Sequence, residues 1–220
     1  MTETNLDQAR YNMIEQQIRP WEVLNDDVLK LMTQVPREHF VPEEYRKLAF
    51  ADTEIPLGNG QVMMAPRVEA RFLQALALKP TDHVLEVGTG SGYMTACLAR
   101  SAAHVYSVDI YDEFTGRATG KLHSAGVHNV TLETGDAAVA WDDHAPYDAI
   151  VITGALRLIP EAYQAQLRPE GRLIALVGAS PVRQALLITR TGENAWSTEA
   201  LFETDLPELV NAPQPQSFVF

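Results

Sequence analysis

The stretch VLEVGTGSGYMT, residues 84–95, decides the fold. A short run of β-forming residues ends in three glycines set two apart, Gly88, Gly90 and Gly92, and a helix-like run follows at once. Strand, glycine turn and helix in that order open a βαβ unit. Glycine allows positive φ and lets a ligand approach the main chain closely. A tight turn holding nothing is the plain alternative. The place of these glycines, after the first strand of an alternating pattern, favours a ligand.

Outward from that stretch, the chain after residue 80 alternates between strand and helix. Strands are predicted in HVLEVGT (83–89), HVYSVDI (104–110), NVTLETG (129–135), YDAIVITG (147–154) and GRLIALVG (171–178). Helices are predicted between them over 91–101, 112–125 and 160–168. Alternation of this kind implies an α/β, Rossmann-like, doubly wound sheet, mainly parallel, whose buried strands read as nearly continuous apolar runs. QALLITRT (184–191) and WSTEALFE (196–203) have no helix between them and predict a C-terminal antiparallel hairpin at one edge.

Before residue 80 the periodicity is helical, so the chain divides into an N-terminal helical extension with a loop (1–80) and the sheet domain (81–220). TNLDQARYNMIEQQI (4–18) offers Thr4 or Asn5 as a cap and carries Leu6, Ala9, Met13 and Ile14 on one face. NDDVLKLMTQV (25–35) has Asn25 as candidate N-cap, Asp26 and Asp27 at the positive helix end, and Pro36 as the stop. FADTEIPLGNGQVMMAP (50–66) reads as an ordered loop, with Pro66 starting a further helix. The apolar faces of 5–18 and 26–35 are expected to pack over the glycine loop and help form a pocket, with 56–66 as its inner wall. Trp21, in IRPW, either lines that pocket or staples the extension, and the packing value of Trp favours the staple.

Composition narrows the functions. Of 220 residues, 46% are hydrophobic and 21% charged, as in an ordinary globular protein. No apolar run is long enough to span a membrane, and the polar N-terminus does not read as a signal peptide. The single cysteine, Cys97, excludes an internal disulfide and reads as a core residue; no Cys/His spacing suggests a metal, and the cytoplasm is the expected compartment. A net charge of −12 without a basic stretch argues against nucleic acid as partner.

The glycine pattern separates two cofactor classes. A dinucleotide fingerprint is G-x-G-x-x-G, whereas here the third glycine comes one residue early. Glu86, two residues before Gly88, would repel a pyrophosphate but can accept hydrogen bonds, directly or through water, from an ammonium. E-x-G-x-G-x-G therefore fits S-adenosylmethionine, which carries an ammonium and a sulfonium and no phosphate. Asp109 ends the second strand, where an acid meets ribose hydroxyls. Asp136 ends the third, near the adenine edge. Thr89 and Ser91 between the glycines, and Ile110 and Ala137 after the two acids, complete the candidate cofactor set.

VPREHFVP (35–42), FADTEIPLGNGQ (50–61), VLEVGTGSGY (84–93), APYDAIVITGA (145–155) and QLRPEGRLIALVG (166–178) follow one another in the order and spacing of a known family. Over residues from about 10 to 190 the chain resembles the protein-L-isoaspartate O-methyltransferases. Many methyltransferases share the glycine motif; VPREHFVP and GNGQ are more specific. The resemblance implies S-adenosyl-L-methionine as cofactor and methyl transfer to the α-carboxyl of an isomerised aspartate in a damaged protein. It also implies an acceptor pocket at Gln61, Val62, Met63 and Met64. There the chain departs from the family: Val62 stands at the family's threonine and Met64 at its active-site serine. Methionine cannot donate a hydrogen bond, so the pocket is one donor short for a carboxylate. A different acceptor, such as a small molecule, and a cofactor-binding module without turnover are the alternative readings. Gly116 and Gly120 are unusual inside a predicted helix.

Overall fold

The computed structural model describes residues 3–215. Helix α1 spans Glu3–Met13 and continues as a wider π-turn over Ile14–Ile18 and a tight 3-10 turn over Arg19–Trp21, where Pro20 ends regular helix. Thr4 and Asn5 lie inside α1 rather than capping it, because the helix already runs from Glu3. Helix α2 is Asp26–Gln34. Asn25 caps it, its side chain accepting from the amides of Asp27 and Val28, and Val35 turns extended before Pro36. A short helix α3, Arg37–Phe40, precedes the strands β1 (Ile55–Gly58) and β2 (Gln61–Met63).

The segment read as a loop is thus a small antiparallel hairpin, Ile55 opposite Met63. Its turn residues Asn59 and Gly60 both have positive φ, 52° and 72°. Asn-Gly is the pair that a two-residue hairpin turn selects, a signal present in GNG. Helix α4 follows over Pro66–Leu76, starting on Pro66 as expected.

The alternation after residue 80 then unfolds as β3 (His83–Val87), α5 (Tyr93–Ser101), β4 (His104–Asp109), α6 (Asp112–Ser124), β5 (Val130–Thr134), β6 (Tyr147–Leu156), α7 (Glu161–Ala165), β7 (Leu167–Ala179), β8 (Val182–Gly192) and β9 (Ala195–Thr204). The sheet has seven strands in the order β5-β4-β3-β6-β7-β8-β9. Pairings from β5 to β7 are parallel, and β8 and β9 add antiparallel at one edge. Neighbours of β3 are β4 on one side and β6 on the other, so the strand order reverses there. The glycine loop leaves β3 at that switch point, where open α/β sheets bind ligands.

Side chains alternate across the sheet with the period of two that a pleat imposes. Val84, Ala149, Val151, Ile174 and Leu176 join one buried cluster, with the faces of α2, α4, α5 and α6. Leu85, Ile150, Ile152, Leu173 and Ala175 join the other, under Tyr163 of α7, Trp141 and Leu209. The first cluster also takes Met13, Ile14, Ile18 and Met32, so one core runs through residue 80. Trp21 staples the extension. Its ring meets Phe202 of β9 edge-on at 5.5 Å, and the Arg67 guanidinium lies over it at 4.3 Å.

Candidate active site

Residues of the hairpin, the glycine loop and the ends of β4, β5 and β6 line a cleft of roughly 750 Å³, open mouth included. Gly88 leaves β3 at φ 99°, and its amide donates to the Val108 carbonyl at 2.8 Å. A Cβ there would stand 2.2 Å from the Thr153 hydroxyl, which itself donates to the carbonyls of Val87 and Gly88. Glycine is thus required by packing as well as by φ. Gly88, Thr89, Gly90 and Ser91 line the cleft, whereas Gly92 begins α5 beneath it, against Ala118 and Phe40.

Asp109 reaches back across the loop. Its Oδ2 accepts from the Gly90 amide at 2.9 Å and its Oδ1 from the Tyr111 amide at 3.0 Å. Each oxygen keeps a lone pair for a ligand hydroxyl. Burial raises the Asp109 carboxyl above the usual range, and the amides of Gly90 and Tyr111 pull it back. Asp136 stands exposed at the end of β5. It accepts from the Ala138 amide at 3.0 Å and the Asn211 side chain at 2.8 Å. Ile110 and Ala137 line the walls beside these acids.

Glu86 is not on the cleft wall, which corrects the direct contact allowed from the sequence. It is fully buried under the loop because its Oε2 is held by the Thr95 and Ser107 hydroxyls, and Thr89 reaches Ser107 at 2.7 Å. Oε1 has no hydrogen-bond partner among the described residues. Burial pushes its carboxyl up to about 8, against the pull of Ser107 and Thr95. A buried carboxylate oxygen without a donor beneath the glycine loop fits a nearby ammonium, reached through a water.

Across from the loop, Gln61, Val62, Met63 and Met64 form the opposing wall, with Leu57 beside them. Met63 and Met64 are also part of the core. Helices α1 and α2 contribute nothing to the wall, contrary to the expected packing over the glycine loop. Their apolar faces are consumed against the helix layer: Met32 meets the Tyr93 hydroxyl at 3.5 Å, and Gln74 of α4 ties down the amides of Leu24 and Asn25. Among the described residues, only the hairpin, Met64 just after it and Glu69 of α4 carry the first 80 residues into the cleft.

Arg37 and Glu69 went unread in the sequence, though Arg37 stands in VPREHFVP. Arg37 is fully buried, pairs with Glu69 through Nη1, and donates to the carbonyls of Ala49 at 2.9 Å and Met64 at 2.6 Å. Its guanidinium also lies over the Tyr93 ring at 4.8 Å. One cation therefore fixes the backbone of the methionine wall to α3 and α4. Tyr111, Phe114, Met94, Leu209 and Val210 also line the cleft without having been singled out, since single apolar residues carry no chemical signature. Cys97 is fully buried, and burial pushes its thiol up, in keeping with a core role.

Comparison with known proteins fits this geometry. The family model for protein-L-isoaspartate(D-aspartate) O-methyltransferase matches residues 8–206. A protein-L-isoaspartate O-methyltransferase 2 of Pelobacter propionicus is 40% identical over 209 residues, 94% of this chain and 93% of its own. A protein-L-isoaspartate O-methyltransferase of Gloeobacter violaceus is 41% identical over 180 residues, 81% of this chain and 88% of its own. Among solved structures, a Plasmodium falciparum chain described under the same enzyme name and holding S-adenosyl-L-homocysteine superposes with a TM-score of 0.78. It covers 92% of this chain and 97% of its own at 20% identity, a likeness of fold. The chain belongs to the protein-L-isoaspartate(D-aspartate) O-methyltransferase family of S-adenosylmethionine-dependent methyltransferases.

Proposed function

We propose that the cleft holds S-adenosylmethionine along the glycine loop and that the methyl acceptor enters against the hairpin wall. The acceptor is the α-carboxylate of an isoaspartyl residue in a damaged protein, so the chain acts in protein repair. The carrying observation is Asp109, buried at the end of β4 and bound to the Gly90 amide, in the position for ribose hydroxyls. Gly88, Thr89, Gly90 and Ser91 let the amino-acid portion approach the backbone. Glu86 answers its ammonium from below, through the unpartnered Oε1. Ile110 and Ala137 flank the adenine, and Asp136 accepts from its exocyclic amine.

The cofactor supplies an electrophilic methyl group on a sulfonium. An isoaspartyl carboxylate is already ionised at neutral pH and needs no base. The chain's work is to position that carboxylate, exclude water and satisfy the oxygen that does not react. Gln61 to Met64 form the acceptor wall, with Met64 at the family's serine position. The apolar character of Val62, Met63 and Met64 supports a second reading, an acceptor other than isoaspartate. The division at residue 80 then separates a helical extension that carries the acceptor hairpin, 1–80, from the cofactor-binding sheet, 81–220. No described helix is long and apolar enough to cross a membrane, which agrees with a cytoplasmic setting.

Labelled methyl transfer to an isoaspartyl peptide, beside its aspartyl counterpart, tests this reading. Labelling of the isoaspartyl peptide alone is expected. Cofactor binding with labelling only of other acceptors would transfer the assignment to the second reading.

A further inference from the structure

Among the described residues, Glu69 is the one buried carboxyl group on the acceptor side of the cleft, at 2% exposure. It projects from the first turn of α4, directly after the methionine wall. One oxygen, Oε2, is taken by Arg37, and the same guanidinium holds the Met64 carbonyl. The other, Oε1, has no hydrogen-bond partner among the described residues, yet the residue borders the cleft. Next to it the wall is Val62, Met63 and Met64, none of which has a side-chain donor, while Gln61 at the start of β2 brings an amide. We propose that Glu69 enters the reaction as a neutral carboxylic acid, donating from Oε1 to the incoming isoaspartyl carboxylate and replacing the hydroxyl that Met64 lacks. This rests on the function proposed above and names the group that makes it work at this site.

The surroundings favour that form. Burial lifts the Glu69 carboxyl to about 7, outweighing the attraction of Arg37. Of the groups facing it, Arg37 of α3 is cationic, and Tyr93 and Cys97 of α5 are held neutral by burial. Glu86 of β3 is pushed up further, by its own burial and by Asp109 and Glu69, so it stays neutral where Glu69 titrates. An arriving carboxylate adds one more negative charge and pushes the proton further onto Glu69. A carboxylic acid kept neutral in an apolar site can serve as a hydrogen-bond donor to an anion. In the transfer, one carboxylate oxygen forms the new C–O bond and the C–S electron pair returns to sulfur. No proton changes hands, so Glu69 keeps its own while bonding the acceptor's other oxygen.

The test compares wild type, Glu69→Gln and Glu69→Ala on one isoaspartyl peptide from pH 6 to 9. Wild-type kcat/KM is expected to fall as pH rises through about 7. Glu69→Gln keeps an acceptor for Arg37 and presents an amide donor, so it retains turnover and loses that fall. Effects common to both proteins, such as titration of the cofactor's amine, cancel in the comparison. Glu69→Ala should lose roughly 30- to 150-fold at pH 6.5. It also leaves Arg37 unpaired, so Glu69→Gln is the variant that decides. A second readout needs no turnover. Calorimetry of peptide binding to the protein loaded with S-adenosylhomocysteine, in two buffers, should show proton uptake at pH 8 in wild type and none in Glu69→Gln. Identical pH profiles for wild type and Glu69→Gln, with turnover intact, overturn the role of Glu69 alone. An inactive Glu69→Gln beside a wild type that gains activity with pH makes Glu69 a base and also overturns it. No isoaspartyl turnover and no peptide binding at any pH overturns the proposed function, and this inference with it.

Discussion

Asp109 shows how one side chain joins fold to chemistry. Its carboxylate braces the glycine loop through Gly90 and starts the turn to α6 through Tyr111, and it borders the cleft with lone pairs to spare. Asp109→Ala should weaken binding of S-adenosylhomocysteine by about 1–3 kcal/mol through lost charge-assisted hydrogen bonds. Calorimetry checks this, with NAD showing no binding to either protein; unchanged affinity in the variant would remove Asp109 from the site. A second residue-scale expectation concerns the methionine wall. Adding Val62→Thr and Met64→Ser to the Glu69→Ala protein returns a hydroxyl donor to the wall. Isoaspartyl turnover should rise by at least tenfold, as about 1.4 kcal/mol of recovered hydrogen bonding implies. Initial rates on one peptide decide it, and no rise would mean that donors at 62 and 64 do not reach the acceptor. The acids at strand ends were legible because sequence position alone places them in such a sheet. Glu69 and Arg37 were not, because a hydrogen-bonded pair between α3 and α4 depends on how those helices dock, which periodicity does not encode. Glu86 was legible as a residue but misplaced as a contact, since its burial depends on the hydroxyls of Thr95 and Ser107 gathering beneath it.

At the scale of elements, helix α6 carries an evident cost. Gly116 and Gly120 lie on its exposed side in ordinary helical backbone, and a Cβ at either would meet nothing within 4 Å. Neither close packing nor positive φ requires glycine. Gly116→Ala and Gly120→Ala should each stabilise the protein by about 1 kcal/mol, since each alanine replaces a poor helix former. Urea unfolding with an unchanged slope checks this; destabilisation by either would show that the helix needs the freedom. Elements whose signal is local matched the structure closely. Asn25 caps α2, Pro66 opens α4, and the five parallel strands begin within a residue of their expected starts except β7, which extends back to Leu167. The hairpin β1–β2 was missed because Pro56 and the glycines read as loop, although Asn59-Gly60 specified its turn. The 14–18 π-turn was equally invisible, being an accommodation of α1 to Pro20 rather than a property of its own residues.

At the scale of the whole molecule, the binding cleft is built over buried ionisable groups that the fold must carry before any ligand arrives. Glu86 and Glu69 lie together beneath the glycine loop and methionine wall, and burial raises their carboxyls to about 8 and about 7. The unfolded chain titrates them near 4.5. Between pH 4.5 and 8 the folded protein therefore binds more protons than the unfolded one, and stability falls as pH rises through that window. Asp109 and Glu54, also raised by burial, act in the same direction. Asp205 and Glu208 are lowered by the Ser180 and Arg157 hydrogen bonds and by Arg183, so their contribution is complete above pH 4.5 and flat across the window. His104, lowered by partial burial, opposes the trend below 6.5, as one group against several. The expected outcome is a urea midpoint that declines from pH 5.5 to pH 8 in the ligand-free protein. Glu86→Gln keeps an acceptor for Thr95 and Ser107 and removes the titrating group, so it should flatten the decline between 6.5 and 8. A midpoint that stays level or rises over that range in wild type would mean that Glu86 is already ionised in the folded state. In that case its unpartnered oxygen would carry a full charge before the cofactor binds, and binding would release no proton from it.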